Sequence, residues 1–411
     1  MKLRFAFLLL VIAAKSFSQQ KDLHYFIEKA KSNSPLLIDY QNQIESATLD
    51  SLLNRAAYGT QISANINGYY APVINGYGYD PVLSNNQSIS GLVGFNKKII
   101  GGNRLKSQSD SYRLIKNALS VNKKIAAKDL EKAITAQYIT AWGTSVQLEY
   151  NRKISDLLKE EDDILRQLTR NSVYRQTDYL TFDASVKQQQ FVSLQLKQQY
   201  TNDVNLLNYL VGERDTAVVA LKSPEVSLKT LQDESRLFLK QFEADSLKVD
   251  NSNIILDNNY KPSLTLTGDA GYNSSFAYQA YRNFGISMGV ALNIPIYDGH
   301  QRQFQHKKND LALQTIRAYK ANFKRQYDQQ LAILSNKLKQ ASENSAALKT
   351  QLSVYQALID ANSKLLRTGD AQITEYVLAV SSLVSLQTQL AQNNVDELQL
   401  INEINYWKTN E

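Results

Sequence analysis

Two carboxylates hold matching places in this chain. Asp178 lies in RNSVYRQTDYL (170–180) and Glu375 in RTGDAQITEYV (367–377), and the two stretches align without a gap at an offset of 197. The alignment pairs Arg170 with Arg367, Thr177 with Thr374, Asp178 with Glu375 and Tyr179 with Tyr376. Two chemistries suit such acids. Just after a turn they complement the positive end of a helix, as the arginines before the turn complement a C-terminus. Gathered around a narrow aperture they favour cations and resist anions. Charge placement alone favours the first reading.

Other residues with chemical potential point to less. His300 and His306 stand six apart, which puts them on different faces of a helix; solvated positions suit them better than a metal site. The run Glu160-Glu161-Asp162-Asp163 reads as a solvated helix face, and Trp142 and Trp407 as packing residues. No GxSxG elbow, Walker loop, HExxH or cysteine site occurs. The expectation is a protein that is not an enzyme, with no cofactor and no metal.

Those matching acids are part of a larger repeat, the elements of which must position them. FNKKIIGG (95–102) and LNIPIYDG (292–299) also align at an offset of 197, so the segments from Gly102 to Arg170 and from Gly299 to Arg367 are equal in length. ISANINGY (62–69) matches LTLTGDAGY (264–272) through its Gly-Tyr pair at an offset of 203, which makes the first hairpin loop six residues longer. Each repeat reads as helix, strand, strand, long helix, tight turn, helix. A continuous helix over either equal-length segment would reach roughly 100 Å. Tyr327, Leu331, Leu334, Leu338, Ala341, Ser345, Leu348, Leu352, Tyr355 and Ile359 step by fours and threes, the seam of packed helices. The first copy is noisier, with a stripe of Leu130, Ile134, Tyr138, Ala141, Ser145 and Leu148 and one internal glycine, Gly143.

Four strands are expected, near 60–73, 87–99, 262–273 and 283–297. The last alternates most cleanly: Phe284, Ile286, Met288, Val290, Leu292, Ile294 and Ile296 are separated by small or polar residues. Each strand is long enough to cross a bilayer at a tilt. Alternation alone fits a soluble sheet as well, but so few strands between such long helices have no other sequence to cover an apolar face. Four cannot close a membrane barrel, which needs about eight, and an open edge is not tolerated in lipid. If the strands meet lipid, several copies must supply one closed barrel.

Composition narrows the setting. The 411 residues carry 46 Lys and Arg against 39 Asp and Glu, a formal net charge of +7, with no cysteine. MKLRFAFLLLVIAAKSFSQQ reads as a secretory signal peptide, 1–18, with cleavage after Ser18. The basic residues are spread along the chain, which argues against nucleic acid. An exported chain without disulfides must be held by packing or assembly. The domain reading is a first repeat over 19–223 and a second over 224–411. Between them VGERDTAVVALKSPEVSL (211–228) breaks the helical pattern at Gly212 and Pro224, and reads as part of a small mixed domain girdling the helices, or as a plain link.

The repeat, the strand ending in LNIPIYDGHQR before a long helix, and the two turn sequences together resemble the TolC family of outer-membrane efflux proteins, over essentially the whole mature chain. The resemblance implies a mostly helical fold: a long antiparallel, coiled-coil-like helical barrel plus four strands per chain in a trimeric, twelve-stranded transmembrane β-barrel. It implies a passive exit duct in the outer membrane with a long periplasmic part. Its partners would be two further copies of the chain, outer-membrane lipid, a periplasmic adaptor (membrane fusion) protein and an inner-membrane transporter. Three chains would bring six carboxylates around one axis, and Asp178 and Glu375 fall on the family's acidic periplasmic constriction, with Leu378 where some members carry a second acid. Arg170, Asn171, Ser172, Val173, Arg367, Thr368, Gly369 and Asp370 would form the turns that meet the adaptor. Two positions depart from the pattern: Lys98 stands where the second repeat has Pro295, and Ser172 where a glycine is usual. The cargo stays open between small molecules and, in a type I secretion system, a polypeptide. A secreted coiled-coil structural or adhesive protein is the alternative of a different class.

Overall fold

The computed structural model describes residues 21–84, 86–99, 101–214, 217–229, 236–276 and 279–408, so the signal-peptide reading lies outside the described residues. In chain order the elements are α1 (Leu23–Asn33), α2 (Pro35–Ala57), β1 (Gln61–Tyr70), α3 (Pro81–Ser84), β2 (Gln87–Ile99), α4 (Gly102–Arg170), α5 (Gln176–Leu210), α6 (Arg236–Asn259), β3 (Ser263–Ser274), β4 (Phe284–Asn293), α7 (Gln301–Thr368) and α8 (Ile373–Trp407). The equal-length segments are thus two helices of 69 and 68 residues. The described residues form two compact units, one within Met1–Ile38, Lys124–Leu237 and Phe323–Glu411, the other within Asp39–Lys123 and Phe238–Asn322. Each unit takes matching pieces of both repeats.

The second of these units holds the sheet. Its four antiparallel strands lie in the order β1-β2-β3-β4. The register decides what the sheet presents. Ile62 pairs with Phe95, Phe95 with Gly268 and Gly268 with Met288; Ala64 pairs with Val93, Val93 with Ala270 and Ala270 with Ile286. Because side chains alternate with a period of two, these rows align the apolar positions of every strand on one side. That side is open: Ile66 is 82% exposed, and Ile286 and Met288 are each 81% exposed. Gly268 is fixed by this packing, since a Cβ there would come within 2.5 Å of the Phe95 ring.

Two strands end earlier than their alternation suggests. The fourth stops at Asn293 rather than 297, because Pro295 has no N–H to give a ladder. Its counterpart Lys98 pairs with Thr265, so β2 continues to Ile99. The first strand stops at Tyr70, two residues before Pro72. After β4, Asp298 accepts the backbone N–H groups of His300 (3.0 Å) and Arg302 (2.8 Å) and so starts α7. His306 corrects the solvated reading. It is half-buried, with Nε2 2.8 Å from Asp257 Oδ1 and Nδ1 3.1 Å from Asn253 Oδ1 on α6. Arg302 also donates to Asp257, and holds that carboxyl below its ordinary range. Among the described residues no group of three or more potential ligands could hold a metal ion.

The other unit is helical. Every member of the α7 seam from Tyr327 to Ile359 is buried or half-buried, while the residues between are almost all exposed. The noise in the first copy has a packing cause. Over 134–144, α4 buries Ile134, Thr135, Tyr138, Ile139, Ala141 and Thr144, more than one face, so a single stripe cannot describe it. Gly143 lies where α8 approaches α4: an added Cβ would meet Val395 Cγ2 at 2.2 Å. Trp407 packs on Phe323, Tyr327 and Tyr406.

The segment between the repeats is a strap. Residues 217–229 form no helix or multi-residue strand; Leu221 bridges to Lys21. Tyr200 donates to Val219 O at 2.7 Å, Tyr138 to Lys222 O at 2.8 Å, and Asn405 to Ser227 O at 2.8 Å. Three helices thereby supply the partners that an extended backbone needs.

Candidate functional site

The two turns between long helices are built alike. After α4, Ser172 N–H reaches Thr169 O and Val173 N–H reaches Leu168 O, each at 3.0 Å; after α7, Gly369 N–H reaches Leu366 O at 3.3 Å and Asp370 N–H reaches Leu365 O at 2.9 Å. This paired pattern closes a helix around one left-handed residue. That residue is Ser172 (φ 60°) in one turn and Gly369 (φ 85°) in the other.

The structure brings the turns together. A Cβ on Gly369 would lie 3.0 Å from Val173 Cγ1. Tyr174, the last residue of the first turn, places its hydroxyl 2.8 Å from Leu366 O and 3.0 Å from Ala371 O. It thus donates into the second turn from the first. Burial, with the Asp370 carboxylate as a lesser cause, raises the Tyr174 phenol above its ordinary value. The Thr368 hydroxyl lies 2.7 Å from Asp370 Oδ2.

Asp178 and Glu375 each occupy the third position of the helix that follows its turn, α5 and α8. Asp178 is half-buried and Glu375 exposed. Among the described residues neither pairs with a base, and Asp178 has only the Thr177 hydroxyl nearby, at 3.5 Å. Both carboxylates are therefore free to act on what lies outside the chain. Asn171, Ser172 and Val173 are exposed, as is Arg170, whereas Arg367 is engaged.

The partner of Arg367 corrects the reading of the acidic run. Glu161 is not solvated: it is 1% exposed, and its Oε1 accepts from Ser363 Oγ at 2.6 Å and Arg367 Nη2 at 2.8 Å. A charge so placed must be paired, and here it ties α4 to α7. Asp162 is also engaged. It accepts from Tyr179 OH (3.0 Å) and pairs with Arg166 (2.8 Å), and Arg166 Nε donates to the same phenol at 3.0 Å. Tyr376, the repeat partner of Tyr179, is fully buried instead, and its hydroxyl has no hydrogen-bond partner. Burial first, and the Glu161 carboxylate second, push that phenol far above its ordinary range. Around these groups Leu158, Leu165, Phe182, Ile359, Leu366, Ile373 and Leu383 form one apolar core. The sequence singled out the acidic run and the Arg170–Arg367 and Tyr179–Tyr376 matches separately, with nothing to show that they meet in one polar cluster.

The described residues thus hold two clasped turns with unpaired acids beside them and, in the other unit, a sheet with one exposed apolar face. No protein-family model matches the chain, and no curated protein matches it. Solved structures do. CusC, described in structures of folding and transmembrane channel formation, aligns with a TM-score of 0.78 at 12% identity, over 95% of this chain and 92% of that one. The outer membrane protein VceC of Vibrio cholerae aligns at 0.73 and 14%, over 94% and 96%. The open state of the MtrE outer membrane channel of Neisseria gonorrhoeae aligns at 0.74 and 15%, over 94% and 88%. This chain has the fold of the TolC-type outer-membrane channels.

Proposed function

We propose that the chain is one subunit of a passive outer-membrane exit duct. In this reading three copies close a twelve-stranded barrel, their helices continue it into the periplasm, and cargo arrives from an inner-membrane transporter through a periplasmic adaptor. The observation that carries the reading is the sheet. Its register joins the apolar residues of four strands into one exposed face, and among the described residues the outer edges of β1 and β4 are unpaired. Lipid accepts that face but not those edges. Four strands also fall short of the roughly eight that membrane barrels need, so further copies must complete the barrel. The fold likeness to outer-membrane channels supports the same conclusion, and the three-fold number comes from that likeness.

At the turns, Asp178 and Glu375 of three chains would ring the axis as the gate. The turns, 171–174 and 368–371, would meet the adaptor through their exposed residues, 171–173 and 368–370. Extraction of the full-length protein in mild detergent, followed by single-particle imaging, tests the assembly. A three-fold particle with a detergent belt around its strands is expected. A water-soluble particle without a belt would sink the channel reading and return the chain to the class of secreted coiled-coil proteins.

A further inference from the structure

The strands carry few charges. Within β1 to β4 the only ones are Lys97, Lys98 and Asp269. Register separates them. Lys97 pairs with Leu266 in a row of the apolar face, whereas Lys98 and Asp269 belong to the opposite face with Ser63, Asn65, Thr265, Thr267, Ser287 and Gly289. Apart from Tyr69 and Leu92 the other residues of that face are small or polar, and none is charged, so two charges dominate its field.

Their places along the strands differ. Asp269 shares a row with Ser63, Gly94 and Ser287, near the middle of the sheet, and accepts from Ser287 Oγ at 2.6 Å. It pairs with no base among the described residues. Lys98 is paired with Thr265, four residues along β3, at the end where β2 leads into α4. Four residues correspond to about 13 Å along a strand. A Debye length of about 8 Å at physiological ionic strength is shorter than that. The two charges are then seen separately by passing ions and do not neutralise each other.

We infer that the strand-lined section of the duct is a bipolar conduit, with an acidic ring of Asp269 at mid-height and a basic ring of Lys98 at its helix-side end. The inference rests on the channel reading, since one chain makes a face and only the closed assembly makes rings. Two consequences follow. Asp269 favours cations and Lys98 anions, so each masks the other in the net selectivity of this section. Rings of opposite sign in series also conduct unequally under the two polarities, because one direction of field draws both ions into the space between the rings and the other empties it.

The test uses full-length channels in planar bilayers carrying Asp178→Ala and Glu375→Ala, so that the acids at the turns add no selectivity of their own. Asp269→Asn, Lys98→Gln and the double substitution are compared with that parent in KCl, through reversal potentials under a salt gradient and current–voltage curves in symmetric salt. All are near-isosteric and face the lumen, and a three-fold particle by imaging verifies assembly. Asp269→Asn should move the K⁺/Cl⁻ permeability ratio toward Cl⁻ by about twofold or more, and Lys98→Gln should move it toward K⁺. Rectification present in the parent at low salt should weaken in each variant, vanish in the double, and fade at high salt as screening shortens the reach of each ring. Unchanged reversal potentials, or shifts of the same sign, would overturn the bipolar conduit while leaving the channel reading intact. A parent that assembles and never conducts would overturn both.

Discussion

Ser172 adopts the left-handed backbone that its repeat partner gives to a glycine, φ 60° against 85°. For a residue with a Cβ that conformation costs about 1–2 kcal/mol, part of which a glycine would return as unfolded-chain entropy. Ser172→Gly is therefore expected to stabilise its turn by a few tenths to about 1 kcal/mol. Gly369→Ala should destabilise its own turn by more than this, because strain adds to a 3.0 Å approach to Val173 Cγ1. Amide hydrogen exchange over 165–180 and 362–377 reads both; equal signs would refute the argument. Asp178 and Glu375 call for a different measurement. As a gate, Asp178→Ala with Glu375→Ala raises closed-state conductance and lowers cation preference in planar bilayers. If selectivity stays unchanged, both acids return to helix electrostatics, where each contributes about 0.3–1 kcal/mol. The serine in the glycine position was visible in the sequence because the repeat supplies its own reference. Glu161 was not, because its partners Ser363 and Arg367 lie about two hundred residues further on and a run of four acids looks solvated from its neighbours alone.

Between elements, the link from α4 to α7 distinguishes two arginines that the repeat makes equivalent. Arg170 is exposed, while Arg367 neutralises a carboxylate that is 1% exposed. Removing Arg367 leaves Glu161 with Ser363 alone. Arg367→Ala should destabilise the helices around the turns by about 1–3 kcal/mol, below the value for a wholly buried pair because half of the guanidinium faces water. Arg170→Ala should cost a few tenths at most. The comparison of the two variants by thermal unfolding in detergent checks this; similar midpoints would mean that the Glu161 contact contributes nothing. Helix legibility followed burial. The α7 seam could be read because one stripe is covered, and α4 resisted the same reading because Tyr138, Ile139, Ala141 and Thr144 are all covered. The strand faces were readable from period two, but the strand ends depended on single prolines, and the strap at 217–229 depended on distant hydroxyl and amide donors that no local pattern announces.

For the whole molecule the decisive question is whether the apolar side of the sheet meets lipid, as proposed, and one strand can answer it twice. Val290 lies on the apolar face, 67% exposed and paired with Leu266; its neighbour Ala291 lies on the opposite face, paired with Thr265. An arginine on a lipid-facing strand costs about 2–4 kcal/mol in each chain at mid-depth and less toward the strand end, where Val290 shares a row with Leu266 and Lys97, and a symmetric assembly incurs that cost in every copy. Val290→Arg should therefore lower the yield of membrane-assembled protein, while Ala291→Arg, its charge directed into an aqueous lumen, should assemble as the parent does and reduce conductance to cations. Membrane fractionation followed by detergent-phase imaging separates the outcomes. If Val290→Arg assembles normally, the apolar face packs on protein; if Ala291→Arg alone fails, the faces are reversed. Only the expected pair of results fits the register, because a shift of one residue exchanges the environments of all the strand side chains together.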